Sequence, residues 1–194
     1  MNTEFIAKAK LPTKYANFEV HVFTYDNKEH LVLTKGKFSK NDTVLTRVHS
    51  ECLTGDGLFS LRCDCGPQLE YAMQEIGKQG QGMIIYLRQE GRGIGLLEKI
   101  KAYELQDQGV DTFDANIQLG HAADNRNYAM LAGIFNHFNV SRVDIMTNNP
   151  DKINAIKEAG VTINQRIALN VGHTKQNKAY IRTKVDKFNH LTKL

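Results

Sequence analysis

All three cysteines of this 194-residue chain fall within one window of fourteen residues, as Cys52, Cys63 and Cys65, and no other feature limits the possible folds as tightly. Between them Thr54-Gly55-Asp56-Gly57 is turn chemistry, so the chain can double back and bring Cys52 beside the Cys63-x-Cys65 pair. An odd cysteine count in a chain this size argues against a disulfide framework and leaves reduced thiols for metal or catalysis. Thiolates are soft ligands that suit zinc. Three protein ligands without a fourth cysteine describe an open, catalytic zinc site whose vacant position takes a water with a pKa of about 7. Two plainer readings stand beside this one: three reduced core cysteines, or a structural zinc closed by His49.

The surrounding pattern predicts an α/β (α+β) fold, one compact domain over residues 1–194, with N-terminal strands and helices packed on a mixed sheet. Phe18–Phe23, His30–Thr34 and Thr43–Val48 are short and β-branched-rich, with turn chemistry at Asp26-Asn27-Lys28. Leu69, Ala72, Met73 and Ile76 then fall on one helical face that ends near Gly80. The apolar run Gly82–Leu87 reads as a buried strand. Helical faces follow at Leu97, Ile100 and Leu105 and at Tyr128, Leu131, Ala132 and Phe135, and Val143–Thr147 is a strand. Asn149 as N-cap, Pro150 at N1 and Gly160 past the end bracket another helix, and Val161–Leu169 is the last strand.

Hydrophobic residues at 41% and charged residues at 24% suit a soluble globular protein and argue against disorder. Met1–Phe5 opens no signal peptide and no run approaches eighteen apolar residues, so a cytoplasmic protein without a membrane partner is expected. The formal charge is +4, which would suit nucleic acid or anionic substrates. Yet six of the 25 basic and one of the 21 acidic side chains lie in 173–194, leaving 19 and 20, a net of −1, on residues 1–172. The surplus therefore belongs to a basic tail, read as a solvated amphipathic helix, and no nucleic-acid partner is expected.

Three segments could handle phosphate. Glu90-Gly91-Arg92-Gly93-Ile94-Gly95 joins a strand to a helix, its glycines permit close backbone approach, and the Arg92 fork matches phosphate geometry. It is neither a dinucleotide fingerprint nor a Walker loop, and a generic strand–helix turn explains its spacing equally. Asp124-Asn125-Arg126 reads as the head of a helix, either a cap beside a surface Arg or a carboxylate working next to a phosphate-facing guanidinium. Thr147-Asn148-Asn149-Pro150-Asp151-Lys152 leads from strand to helix, where a capped turn is the simpler account.

Taken together, His49–Asp56, Arg62-Cys63-Asp64-Cys65-Gly66 and Arg88–Leu96 closely resemble GTP cyclohydrolase II. The likeness continues through Leu105–Gly109, Asp111-Thr112, Leu119-Gly120, Asp124-x-Arg126 and Thr147–Pro150, in order over roughly residues 5 to 190. That resemblance implies conversion of GTP to 2,5-diamino-6-(5-phosphoribosylamino)pyrimidin-4-one with release of formate and pyrophosphate, the first committed step of riboflavin biosynthesis. It implies zinc on Cys52, Cys63 and Cys65, magnesium with the triphosphate, and a homodimer. It places Arg47, Val48, His49, Ser50, Glu51, Gln68, Glu90, Gly91, Arg92, Thr112, Thr147 and Lys152 against GTP. It makes Asp124 a proton acceptor, Arg126 the group that attacks the α-phosphate, and Tyr103 a neighbour of the reacting base. His121 and Pro67 depart from the family pattern without removing an implied ligand.

Two rivals belong to other classes. His49-Ser50-Glu51 fits the first half of the zinc deaminase signature, but the second half, Pro-Cys-x-x-Cys, is replaced by Cys63-Asp64-Cys65. A zinc-stabilised nucleic-acid module fits the pI of 8.9 but not the near-neutral body.

Overall fold

The computed structural model describes residues 2–193; the two ends of the expected domain, residues 1 and 194, lie outside the described residues. Three antiparallel strands come first, β1 (Glu4–Pro12), β2 (Asn17–Tyr25) and β3 (Lys28–Lys35). Asp26 and Asn27 close the β2–β3 hairpin with φ of 52° and 56°, the left-handed pair that a two-residue turn needs to match strand twist. The other strands, β4 (Val44–Ser50), β5 (Gly82–Leu87), β6 (Arg142–Met146) and β7 (Thr162–Ile167), run parallel. The sheet order is β1-β2-β3-β5-β4-β6-β7, and β5 joins the halves by pairing antiparallel with β3 and parallel with β4.

The helices are α1 (Leu53–Asp56, a single turn), α2 (Cys65–Gln79), α3 (Leu96–Asp107), α4 (Thr112–Gln118), α5 (Met130–His137), α6 (Pro150–Glu158) and α7 (Lys178–Phe188). From β4 the chain moves through α2 to β5 on one side; from β5 it returns through α5 to β6 on the other. Right-handed crossovers in opposite directions place their helices on opposite faces. Accordingly, Ala72 and Ile76 of α2 pack with Phe18, Leu33, Leu45 and Ile84, whereas Leu131, Ile134 and Ile156 of α5 and α6 pack with Val44, Val48, Ile85 and Ile145. The winding reverses at β4, so its C-terminal end opens onto a crevice between the two helical layers, where α/β sheets take their ligands. Among the described residues, no helix is long and apolar enough to cross a membrane.

The expected strands and the helix caps are present. Gly80 ends α2 at φ 79°, and Asn149 Oδ1 accepts from Asp151 N at 2.8 Å ahead of Pro150. Four expectations need correcting. The α3 residues Leu97 and Ile100 face outward, at 71% and 47% exposure, and Lys99 and Ala102 are the buried ones. Asp124–Arg126 does not head a helix, because α5 begins only at Met130. The last strand stops at Ile167, short of Leu169. The basic tail does form an amphipathic helix with Lys178, Arg182, Asp186 and Lys187 in solvent, but α7 docks, with Ile181 and Lys184 buried against the body. Strand β1 and helix α4 had no counterpart in the sequence pattern.

Candidate active site

Cys52, Cys63 and Cys65 stand along the wall of this crevice. Their sulfurs lie within 4.8 Å of one another, with Cys52 and Cys63 at 3.6 Å. The local sequence makes this convergence possible. A Cβ added at Gly55 would come 2.7 Å from Cys63 Sγ and 3.2 Å from Cys52 Sγ, and one at Gly66 would strike the Gly55 carbonyl at 2.3 Å. The two loops therefore approach only because both positions are glycine. Three thiols closing on one point, with a glycine holding the space beside them, fit a thiophilic divalent ion.

His49 does not join the sulfurs. Its Nε2 donates to Asp56 Oδ1 and Oδ2 at 3.1 and 3.0 Å, its ring stacks on Tyr86, and Asp56 Oδ2 also accepts from Cys52 N at 3.0 Å and Tyr86 Oη at 2.9 Å. Asp56 thus pins the Cys52 backbone, while His49 Nδ1 has no protein partner. Lys99 Nζ donates to Cys52 Sγ at 3.2 Å and to Glu90 Oε1 at 2.7 Å. Burial lowers the Lys99 pKa, but the Cys52 thiolate and Glu90 outweigh it and raise it. The neighbouring thiols and Lys99 draw Cys52 well below its ordinary value.

Cations gather along the rest of the crevice wall, within electrostatic reach of Cys65. The Arg47 guanidinium, buried beneath β4 and β6, donates to the Met146 carbonyl at 2.9 Å and Gln68 Oε1 at 2.8 Å. Gln68 Nε2 in turn donates to Asp64 Oδ2 at 2.7 Å, and Lys184 Nζ to Asp64 Oδ1. Lys152 Nζ donates to the Val48 carbonyl at 3.0 Å. Burial, with Arg47 and Arg126 nearby, pushes its pKa well down, and burial lowers Arg47 to about 10. Arg92 lies 4.0 Å over the Phe188 ring, and its Nη1, Arg47 Nε, Ser50 Oγ and Asn149 Nδ2 are buried without a protein partner. Arg126 Nε meets both Asp124 oxygens, at 2.9 and 3.0 Å. Burial would raise the Asp124 carboxyl, but Arg126 outweighs it and holds it below its usual range.

Of the residues expected at the site, Arg47, His49, Ser50, Glu51, Gln68, Glu90, Gly91, Arg92, Tyr103, Thr112, Arg126, Thr147 and Lys152 line the crevice with the three cysteines. Val48 does not; its side chain is in the core, and only its carbonyl reaches Lys152. Asp124 stands behind Arg126. Both Glu90 oxygens are engaged, one by Leu53 N at 2.6 Å and the other by Gly91 N and Lys99, so this side chain ties the glycine loop to the cysteine loop. Tyr103 Oη meets Thr54 Oγ1 at 3.2 Å, and burial raises its pKa. The two departures lie outside the crevice lining: His121 pairs with Glu98, and Pro67 packs under Gly172. Sequence reasoning missed Lys99, Asp56, Asp64, Tyr180, Lys184 and His190. Their only signal was position near the motifs, or, for the last three, the basic tail itself.

The chain matches the family described as GTP cyclohydrolase II over residues 4–168. A GTP cyclohydrolase-2 of Shewanella amazonensis is 54% identical over 193 residues, 98% of this chain and 94% of that protein. The GTP cyclohydrolase-2 of a Neisseria meningitidis serogroup C strain is 51% identical over 187 residues, 96% of this chain and 95% of its own.

Proposed function

The chain belongs to the GTP cyclohydrolase II family, and on that premise we propose that it opens the imidazole ring of GTP with release of formate and pyrophosphate, the first committed step of riboflavin biosynthesis. The observation that carries this reading is the pairing, in one crevice, of three converging thiols with a cluster of Arg47, Arg92, Arg126 and Lys152. A thiolate site suits attack on a ring carbon, and a cation cluster suits a triphosphate.

Cys52, Cys63 and Cys65 would hold a zinc ion, which would supply Lewis acidity to activate water. Asp56 and Lys99 fix Cys52 by its backbone and its sulfur. Tyr103, kept protonated by burial, offers a hydrogen bond beside the reacting ring. Glu51, whose pKa burial raises, is suited to carry a proton there. Arg126 stabilises charge on the phosphates as the bond to pyrophosphate breaks. Its clamp by Asp124 keeps the guanidinium protonated, and a carboxylate held below its usual range is a weak base, so the pair favours electrostatic stabilisation over nucleophilic attack. Magnesium accompanies the triphosphate.

The protein works as a cytoplasmic homodimer. Leu58, Phe59 and Leu61 on the loop after α1, and Leu96, Leu97 and Ile100 on α3, are exposed on segments that Arg62 ties together through Asp107 and the Tyr103 ring. Solvent-facing apolar side chains in such number suit a subunit contact.

Turnover of GTP with and without a zinc chelator, scoring formate, pyrophosphate and the diaminopyrimidine separately, tests the reading. Zinc- and magnesium-loaded protein yields all three, and chelation stops formate. Ammonia release from a nucleoside without formate would favour a deaminase instead.

A further inference from the structure

The family match ends at residue 168, yet the chain beyond it returns to the crevice. Gly172 passes over the start of α2, where an added Cβ would lie 2.6 Å from Pro67. Beyond α7, Leu191 N donates to the Asn148 carbonyl at 2.8 Å and Asn148 Nδ2 donates to Thr192 Oγ1 at 3.1 Å, so the chain end is fastened to the loop that carries Thr147 and Asn149. Between these anchors Tyr180, Lys184 and His190 line the same crevice as Arg47, Arg92, Arg126 and Lys152. Lys184 Nζ, on Asp64, stands 4.5 Å from the Tyr180 ring centroid, and the Phe188 ring lies under Arg92.

This arrangement is electrostatically unfinished. The segment adds Lys184 to Arg47, Lys152, Arg92 and Arg126, together with a His190 that burial among these cations keeps neutral. The carboxylates nearby are already engaged: Asp64 by Lys184, Asp124 by Arg126, Glu90 by Lys99 and Leu53 N, and Asp56 by His49 and Tyr86, while Glu51 faces Arg88. Arg92 Nη1, Arg47 Nε and Asn149 Nδ2 remain buried donors without partners. A polyanion in the crevice would satisfy these donors and give Lys184 and Arg92, which lies over Phe188 of the segment, a common partner.

We propose that residues 178–190 form a substrate-coupled cover of the nucleotide site, with Lys184 and His190 contacting the polyphosphate of a nucleoside triphosphate. The inference rests on the GTP-cleaving reading and deepens it. Lys184 retains two further N–H donors while it holds Asp64, and His190 supplies an imidazole N–H. Docking then follows the polyphosphate: the cover closes when the triphosphate enters and loosens when pyrophosphate leaves. The base and ribose play no part in closing it.

Two measurements on the full-length, zinc-loaded protein test this. In the first, Lys184→Met and His190→Asn are assayed for GTP turnover, with zinc content measured because Asp64 lies between Cys63 and Cys65. Each variant keeps its zinc and shows KM for GTP raised about tenfold for Lys184→Met, the loss of one charge-assisted contact, with a smaller fall in kcat. In the second, hydrogen exchange of residues 173–193 is followed with inorganic triphosphate or with guanosine. Triphosphate slows exchange across the segment and guanosine does not. An unchanged KM in both variants overturns the proposal, as does equal protection by guanosine, or a variant whose lost activity tracks lost zinc. If wild-type protein itself releases neither formate nor pyrophosphate, the functional reading falls. If wild type turns over GTP while Lys184→Met keeps its KM, only the cover falls.

Discussion

The sulfur end and the cation end of the crevice are built on opposite principles. At the sulfur end nearly every polar group has a partner inside the protein: Asp56 holds His49, Tyr86 and Cys52 N, while Glu90 holds Leu53 N, Gly91 N and Lys99. At the cation end Arg92, Arg47 and Asn149 keep unpartnered donors, and Lys152 is driven toward its neutral form by burial among like charges. The first end is rigid and complete enough to present three ligands to an ion. The second stores unfavourable electrostatics that an incoming polyanion relieves. Chemistry that needs fixed geometry and chemistry that needs differential binding are thus carried by different side chains of one crevice.

The largest test of that division removes a ligand. Cys63→Ser loses zinc and drops formate release to background by metal analysis and formate assay, while triphosphate binding measured by calorimetry persists. Loss of both functions together would mean that the two ends are not separable. Next, Arg126→Gln keeps its zinc but lowers the rate of pyrophosphate release by about 10²–10³-fold in a stopped assay, the range for losing a preorganised charge contact in the transition state. A fall of only a few-fold would move Arg126 out of the reaction. Third, Gly55→Ala forces a methyl group between the sulfurs and costs about 1–3 kcal/mol of stability by denaturant titration, with weakened zinc retention. An unaffected zinc content would show that the cysteine loops have slack. The smallest effect is the most diagnostic. Lys152→Met removes a buried amine crowded by Arg47 and Arg126 and raises Tm of the ligand-free protein by about 2–4 °C, even as KM for GTP rises. A lower Tm would contradict the claim that the cation end is strained when no anion is bound.

The sulfur end was also the more legible of the two in the sequence. Three cysteines and intervening glycines leave few ways to fold, and the Asn149-Pro150 cap and Gly80 stop carry their structural reasons within a few residues. The β2–β3 hairpin and the buried run of β5 are legible for the same reason. The cation end was legible in its motifs and not in its assembly. Lys184 and Lys187 look alike in the sequence, yet one is buried against Asp64 and the other sits outside on Asp111 and Asp114. Nothing within a helical turn of either records which carboxylate, some 70 to 120 residues away, it will meet. Helix α3 misled in a different way. Its apolar positions Leu97 and Ile100 have the spacing of a core face but point to solvent, where they suit another subunit better than this chain's interior. Strand β1 was missed because it is exposed along nearly all of its length, so no buried face marks its register.

The sheet order carries a consequence for how this chain comes into being. Strands β1 to β3 are neighbours in sequence and pair as they are made, a local meander with short loops to close. Strand β4 instead pairs in parallel with β5 on one edge and gains β6 on the other only much later, since Val44 pairs with Val143, and Arg47 reaches the Met146 carbonyl 99 residues on. The Lys184–Asp64 contact spans 120 residues and cannot form until α7 has been synthesised. The crevice is therefore assembled from contacts of far greater sequence separation than the β1–β3 meander. A chain that has not yet reached β6 can hold its β1–β3 meander while Arg47 still lacks the Met146 carbonyl that fixes it, so the scaffold can precede the charge cluster it carries.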